Sequence, residues 1–251
     1  MAKDSSTQPL EWFAADWPAP DHVHAFTTTR KGGVSEGVYD SFNLASHVGD
    51  QSSAVASNRQ LLKASFELPA EPCWLNQTHS HRVIDASRFD HIEADASWTS
   101  NKDTVCAVLT ADCLPVFFSD KDGSRVAMAH AGWRGLLNGV ISATFSAMKI
   151  RPDDCLVWLG PSIGPDAFEV GGEVLQSFAD QNKVTLSSFR QKDEKHWLCD
   201  MYQLARIELE QLGIRQVFGG GLCTYTDKEN FYSYRRDGST GRMASLIWVS
   251  D

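Results

Sequence analysis

Residues 104–129 constrain the fold more than any other stretch. Three apolar runs, Thr104–Leu109, Val116–Phe118 and Arg125–Ala129, are too short for helices and apolar at consecutive positions. That pattern suits strands buried on both faces. Thr110-Ala111-Asp112-Cys113-Leu114-Pro115 between the first two is turn-like, and Asp120-Lys121-Asp122-Gly123 forms a hairpin-type turn into the third. A chain organised around such strands needs layers that cover both faces of a sheet.

The remaining patterning supplies those layers. Strands are expected at His22–Arg30, Cys73–Asn76, Arg82–Asp85, Leu156–Leu159, Gln216–Phe218 and Ser245–Val249. Helices are expected over Val55–Leu68, where Pro69 stops the run, and over Leu136–Met148, Gly172–Gln181 and Asp200–Leu212. Strands and helices do not alternate strictly, so the reading is mixed α/β: a single-domain layered sandwich of mixed β-sheets flanked by helices, not a doubly wound parallel sheet. No linker or repeat divides residues 1–251, and residues 1–21 read as an N-terminal extension with an edge strand.

Charge and cysteine usage narrow the function. The chain has 23 Lys+Arg against 32 Asp+Glu, a formal net charge of −9. That field repels nucleic acid and anionic membrane surfaces, so neither is an expected partner. The N-terminus lacks a basic segment followed by an apolar one, and no apolar run reaches the roughly 20 residues that span a bilayer. Six cysteines are scattered without a Cys-x-x-Cys pair, unlike a disulfide scaffold or zinc knuckle. A cytoplasmic protein, acting as a monomer, is the expectation.

Three metal-competent side chains fall in breaks beside strands: His79 in Asn76-Gln77-Thr78-His79-Ser80-His81, Cys113 in the turn above, and His130 before Ala131-Gly132-Trp133-Arg134-Gly135. Such spacing is too long for a zinc finger but ordinary for a catalytic site that gathers three ligands from strand ends and leaves a fourth position open. Thiolate and imidazole both suit Zn²⁺, and Cu²⁺ is a second ion such a set accepts. A cysteine beside an apolar strand is also an ordinary small core residue. His81, His22, His24, His47, His91 and His196 compete for the histidine roles, and spacing alone does not choose among them. The same residues fit a metal-free reading, with Cys113 as nucleophile and His130 as base.

Arginines recur in turn-rich segments: Arg30 before Gly32-Gly33, Arg134 between glycines, and Arg235, Arg236 and Arg242 near Gly238 and Gly241. Guanidinium forks suit phosphate or carboxylate, although a loop arginine is commonly just solvated or ion-paired.

Taken together, several blocks resemble one family. They are Phe26-Thr-Thr-Thr-Arg30 with Gly32-Gly33-Val34-Ser35, Asn43-Leu44, His47-Val48-Gly49-Asp50, Asn58-Arg59, Gln77-Thr-His79 and Asp95-Ala96. Ala111-Asp-Cys-Leu-Pro115, His130-Ala-Gly-Trp-Arg-Gly135, Gly160-Pro161-Ser162-Ile163-Gly164, Leu222-Cys223-Thr224 and Phe231-Tyr-Ser-Tyr-Arg-Arg236 through Arg242 complete the series. In order and content they resemble the YfiH-type family of laccase-domain proteins, also called peptidoglycan editing factors, whose animal relatives are multifunctional purine nucleoside enzymes. The family usually carries Gly where this chain has Ser80, a change expected to alter backbone freedom only slightly.

The resemblance implies a zinc site on His79, Cys113 and His130, which selects His79 over His81. It implies phosphorolysis of adenosine, inosine, guanosine and methylthioadenosine, with adenosine deamination as a second activity. The small-molecule partners are then a nucleoside and phosphate. Arg30, Arg134 or Arg242 would hold phosphate, and Gln77 or Asn43 would touch the nucleoside. Three alternatives stand beside this. The first is an editing hydrolase acting on a UDP-linked muramoyl–amino acid cell-wall precursor. The second is a copper-dependent polyphenol oxidase, disfavoured because eight histidines with two His-x-His pairs are too few for a multicopper cluster. The third is a non-catalytic module that binds metal or nucleotide for regulation.

Overall fold

The structure, a computed structural model, describes residues 9–88 and 93–251; His91 lies outside the described residues. In chain order the strands are β1 (Trp12–Ala14), β2 (Val23–Thr28), β3 (Cys73–Trp74), β4 (Val83–Asp85), β5 (Ala96–Thr99), β6 (Cys106–Thr110), β7 (Leu114–Asp120), β8 (Val126–Ala131), β9 (Cys155–Leu159), β10 (Glu169–Gly171), β11 (Phe189–Gln191), β12 (His196–Cys199), β13 (Gln216–Gly219) and β14 (Met243–Val249). The helices are α1 (Ser52–Ser65), α2 (Trp133–Leu137), α3 (Val140–Met148), α4 (Gly172–Gln181), α5 (Met201–Gln211) and α6 (Tyr234–Asp237).

Two large mixed sheets carry the fold. One runs β1-β2-β14-β6-β3, the other β13-β9-β7-β8-β5-β4, and β10-β12-β11 form a small third sheet. Parity along the strands fixes the layers. Cys106, Val108, Ile247 and Val249 of the first sheet meet Phe117, Val126, Met128 and Trp158 of the second in one buried cluster. The alternate residues face outward. Ala107, Leu109, Leu246 and Trp248 pack with Leu62 of α1 and with Phe42 and Leu44. Val116, Phe118, Ala127 and Ala129 pack with Val140 and Ile141 of α3 and Leu204 of α5. The arrangement is helix, sheet, sheet, helix. Strands buried on both faces explain why β6, β7 and β8 read as continuous apolar runs.

The predicted elements are found with modest shifts in their ends, and β1 is the expected edge strand. One expected helix is divided: Leu136–Met148 becomes α2 and α3, because Gly139 takes a left-handed φ of 79° between them. Such a φ costs glycine little and interrupts the helical ladder.

Strand polarity then gathers the motifs. The chain steps from the first sheet to the second twice, through residues 75–82 between β3 and β4 and through residues 111–113 between β6 and β7. β3 runs parallel to β6, while β14 runs antiparallel to it with Met243 opposite Thr110. In the second sheet Leu114 lies opposite Ala131, and Ala96 opposite Ala129. The C-terminal ends of β3, β6 and β8 and the N-terminal ends of β5, β7 and β14 therefore share one end of the sandwich.

Candidate metal centre

At that end His79, Cys113 and His130 converge, with their ligand-capable atoms all within 4.8 Å of one another. Cys113 Sγ lies 3.7 Å from His79 Nε2, and the two imidazole rings are 4.9 Å apart at 70°. Each residue comes from a different strand end, so the long sequence gaps close through topology rather than local folding.

Asp95, fully buried just before β5, organises two of the three. Its carboxylate accepts the backbone N–H groups of Thr78 (3.2 Å), His79 (2.9 Å) and Ser80 (2.6 Å), the Ser80 hydroxyl (2.7 Å), and His130 Nδ1–H (2.8 Å). The loop is thereby wrapped around one anion, with His79 in the left-handed region at φ 61°. Ser80, the departure from the family pattern, is not the left-handed residue; its hydroxyl adds a bond to the same carboxylate. With Nδ1 occupied, His130 turns Nε2 toward the other two donors, an outer carboxylate–imidazole pairing that supports metal ligation.

Cys113 is held from the other side. Asp112, at φ 97°, accepts the Thr224 hydroxyl at 2.7 Å and the Arg235 N–H at 2.7 Å through its carboxylate, while its carbonyl accepts from Ile163 N–H and the Ser162 hydroxyl. The Gly160–Gly164, Leu222–Thr224 and Tyr232–Arg236 blocks thus act together as the bracket for the cysteine turn.

The electrostatics follow from these contacts. Burial works against charge on Asp95, but the bonds from His130 and Ser80 outweigh it and hold the carboxyl far below its ordinary range. Burial raises the Cys113 thiol, yet the His130 charge and bonds from His130 and His79 bring it down to about 6. Burial lowers the His130 imidazolium, but Cys113 and Asp95 raise it to about 9. By contrast Cys73, Cys106 and Cys155 are buried thiols pushed up to about 12. Only a thiolate ligates or attacks, so Cys113 differs in kind from these three.

The space between the donors also fits an ion. A Cβ on Gly132 would lie 2.8 Å from His79 Cδ2 and 2.9 Å from Cys113 Sγ, so glycine keeps the cradle open. One thiolate and two imidazoles form a three-ligand set of the type that leaves a position for water or substrate. Among the described residues this is the one cluster of three or more His, Cys or acidic groups placed to hold a metal. His22 and His24, the other His-x-His pair, bond the Asp122 carbonyl and the Ser250 hydroxyl instead.

The other predicted residues divide by what they already hold. Arg30 donates to the Asp40 carbonyl through Nε (3.0 Å) and Nη2 (2.9 Å) and lies over the Tyr232 ring at 4.8 Å. Asn43 is fully buried and bonds Ala45, Asp50 and the Arg242 N–H. Gln77 pairs with Leu109, donating to its carbonyl at 2.9 Å and accepting its N–H at 2.8 Å, which pins the His79 loop to β6. Arg134 is exposed and stacks on Trp133 at 4.4 Å. Arg242 donates through Nη1 to the Thr240 and Gly241 carbonyls and feels the charges of Cys113 and Asp112.

Comparison with known proteins agrees with this architecture. Residues 24–250 match the family model described as multi-copper polyphenol oxidoreductase laccase. A protein of Escherichia coli K12 named purine nucleoside phosphorylase YfiH is 50% identical over 235 residues, covering 93% of this chain and 96% of its own. The chain belongs to the YfiH-type laccase-domain family. Another member, a purine nucleoside phosphorylase of Pseudomonas aeruginosa, is 48% identical over 241 residues, covering 96% of this chain and 99% of its own. The crystal structure of a Neisseria meningitidis protein superposes with a TM-score of 0.93 at 46% identity, covering 96% of this chain and 99% of that one. YlmD from Geobacillus stearothermophilus superposes with a TM-score of 0.84 at 27% identity, covering 92% and 93%. Among the described residues of this laccase-domain chain, no helix is long and apolar enough to cross a membrane.

His79, Cys113 and His130 stand out in the sequence as metal-competent, and the fold brings them together; Asp95 and Asp112 carry no such mark. The available signal was an acid at the mouth of an apolar strand, where an unpaired charge is not tolerated.

Proposed function

We propose that this laccase-domain protein is a zinc-dependent purine nucleoside phosphorylase, with adenosine, inosine, guanosine and methylthioadenosine as substrates and adenosine deamination as a side activity. The observation that carries the reading is the His79–Cys113–His130 donor set, held open by Gly132 and bordered by Arg242. The names of the relatives support the purine nucleoside phosphorylase part of it.

His79, Cys113 and His130 would hold the ion, which supplies a Lewis acid at the open end of the sandwich. The protein's own groups do the rest. Asp95 fixes the His130 tautomer and the His79 loop, so the donors do not reorganise during turnover. Arg242 and Arg134 would neutralise phosphate and bring one of its oxygens against the ribose C1′ carbon. As the bond from C1′ to the purine nitrogen breaks, the electron pair leaves with the base, an oxygen of the monohydrogen phosphate closes on C1′, and the proton that phosphate carried ends on the purine nitrogen, giving ribose-1-phosphate and purine. Arg30, Asn43 and Gln77, whose polar groups already bond the protein, would position these elements rather than touch substrate.

The test is direct. Metal content is determined on purified protein, and inosine plus phosphate is followed for hypoxanthine and ribose-1-phosphate. Phosphate-dependent product that disappears in Cys113→Ala together with the metal is the expected result. No phosphate-dependent product from fully zinc-loaded protein overturns the reading.

A further inference from the structure

Two arginines and a histidine outside the metal trio lie close to one another. Leu44 ties two of them together: its N–H donates to the Arg242 carbonyl at 3.4 Å and its carbonyl accepts from Arg59 Nε at 3.0 Å. His47 lies further along the same loop, and partial desolvation plus the charges of Arg242 and Arg59 hold its imidazole below the ordinary value.

Among the described residues none of the three forms an ion pair. Glu71 acts on Arg59, but its own Oε1 accepts the Trp74 indole N–H at 2.8 Å. The Arg59 guanidinium is aimed by stacking on Trp74 at 4.2 Å and spends only Nε on the backbone. Arg242 commits only Nη1, to two carbonyls. Both guanidinia therefore keep N–H donors unspent.

A second observation points to a ligand. His47, Arg59, Trp74, Asn76 and Leu109 line a cavity of about 690 Å³ along the β3 edge. Beside Arg242, the Thr240 hydroxyl is 1% exposed and has no hydrogen-bond partner. Two guanidinia with unspent N–H donors, an orphaned hydroxyl and an adjoining cavity are what a bound oxyanion would satisfy.

We propose that His47, Arg59 and Arg242 form an oxyanion subsite that takes a phosphate group. The proposal rests on the phosphorylase reading for its location relative to the chemistry: Arg242 acts on His47 and feels the charge of Cys113, so a phosphate here would lie toward the metal trio. Orthophosphate and the phosphate of a nucleoside monophosphate share the required chemistry. Arg59 supplies the fork, Arg242 adds positive charge, and His47 supplies a ring N–H.

The test is a titration of the purified full-length protein with inorganic phosphate and, separately, with AMP, followed by calorimetry. Arg59→Gln is expected to weaken phosphate binding by about tenfold or more, since a charge-assisted fork is lost. His47→Gln, an exposed position that spares the fold, is expected to weaken it several-fold, and Arg59→Lys to restore part of the Arg59→Gln loss. Arg190→Gln, which removes an exposed partner of Asp166, should bind as wild type. Tighter binding of AMP than of phosphate assigns the subsite to a ligand-borne phosphate; the reverse assigns it to the free anion. Unchanged phosphate affinity in folded Arg59→Gln and His47→Gln overturns the subsite even if inosine is cleaved. Phosphate binding that these variants lose, without any inosine cleavage, upholds the subsite and overturns the phosphorylase reading instead.

Discussion

Asp95 and His130 are joined twice: the His130 backbone N–H donates to the Asp95 carbonyl at 2.7 Å, and its Nδ1–H donates to the carboxylate at 2.8 Å. One acid therefore registers β5 against β8 and sets the ring orientation of a candidate metal ligand. The same carboxylate anchors the His79 loop, so it couples two of three donors that are remote in sequence.

Asp95→Asn keeps the shape but places an amide NH₂ among donors. Metal affinity is expected to fall 10- to 100-fold, roughly the cost of losing an outer partner of a ligating histidine. Stability should fall by about 2 kcal/mol or more, because buried N–H groups lose their acceptor. Chelator competition and thermal unfolding measure the two effects. Unchanged affinity would show that Asp95 serves only the fold.

Gly132→Ala tests the cradle. Gly132 has φ −71° and ψ 168°, a conformation alanine adopts freely, so any effect is steric. The new methyl would lie 2.8 Å from His79 Cδ2 and must displace a donor. Loss of metal with an unchanged far-ultraviolet circular dichroism spectrum is expected. Gly135→Ala, whose Cβ would meet the His130 carbonyl at 3.3 Å, should retain metal.

The sheets were legible where burial on both faces left continuous apolar runs, as in Val116–Phe118 and Leu156–Leu159. The small sheet of β10, β11 and β12 was not. Its strands are three or four residues long and partly exposed, too short to show a period. The candidate trio stood out because Cys113 and the histidines carry distinctive chemistry. Asp95 and Asp112 stayed silent because their role lies in hydrogen bonds to residues far along the chain. The arginines read alike in sequence. Only their partners separate Arg30, bonded to the Asp40 carbonyl, from Arg134, which stacks on Trp133 and meets solvent.

Phe117 is fully buried between the sheets with its ring 4.9 Å from that of Trp158. Phe117→Ala should cost about 3–5 kcal/mol through lost transfer energy and a cavity. Denaturant unfolding measures it, and metal content of the remaining folded fraction should equal wild type. A loss below 1 kcal/mol would mean that the two sheets close over the gap.

The final prediction concerns protons. With Cys113 brought down to about 6 and His130 raised to about 9, the metal-free site between those values is a thiolate beside an imidazolium. An incoming ion needs the thiolate as it stands but must displace the Nε2 proton of His130. Protons and metal therefore compete at His130. For this pair, metal affinity should rise about tenfold per pH unit between 6 and 9 and level off above 9. Below 6 it should fall more steeply, because Cys113 must also be deprotonated. Calorimetry at pH 7.5 in buffers of different ionisation enthalpy counts the released proton; release of none from the pair would refute the assignment. Asp95→Asn removes one of the two anions that raise His130, so the levelling-off should move to lower pH while the Cys113 limb remains. That displacement separates a proton lost from His130 Nε2 from one lost elsewhere in the protein.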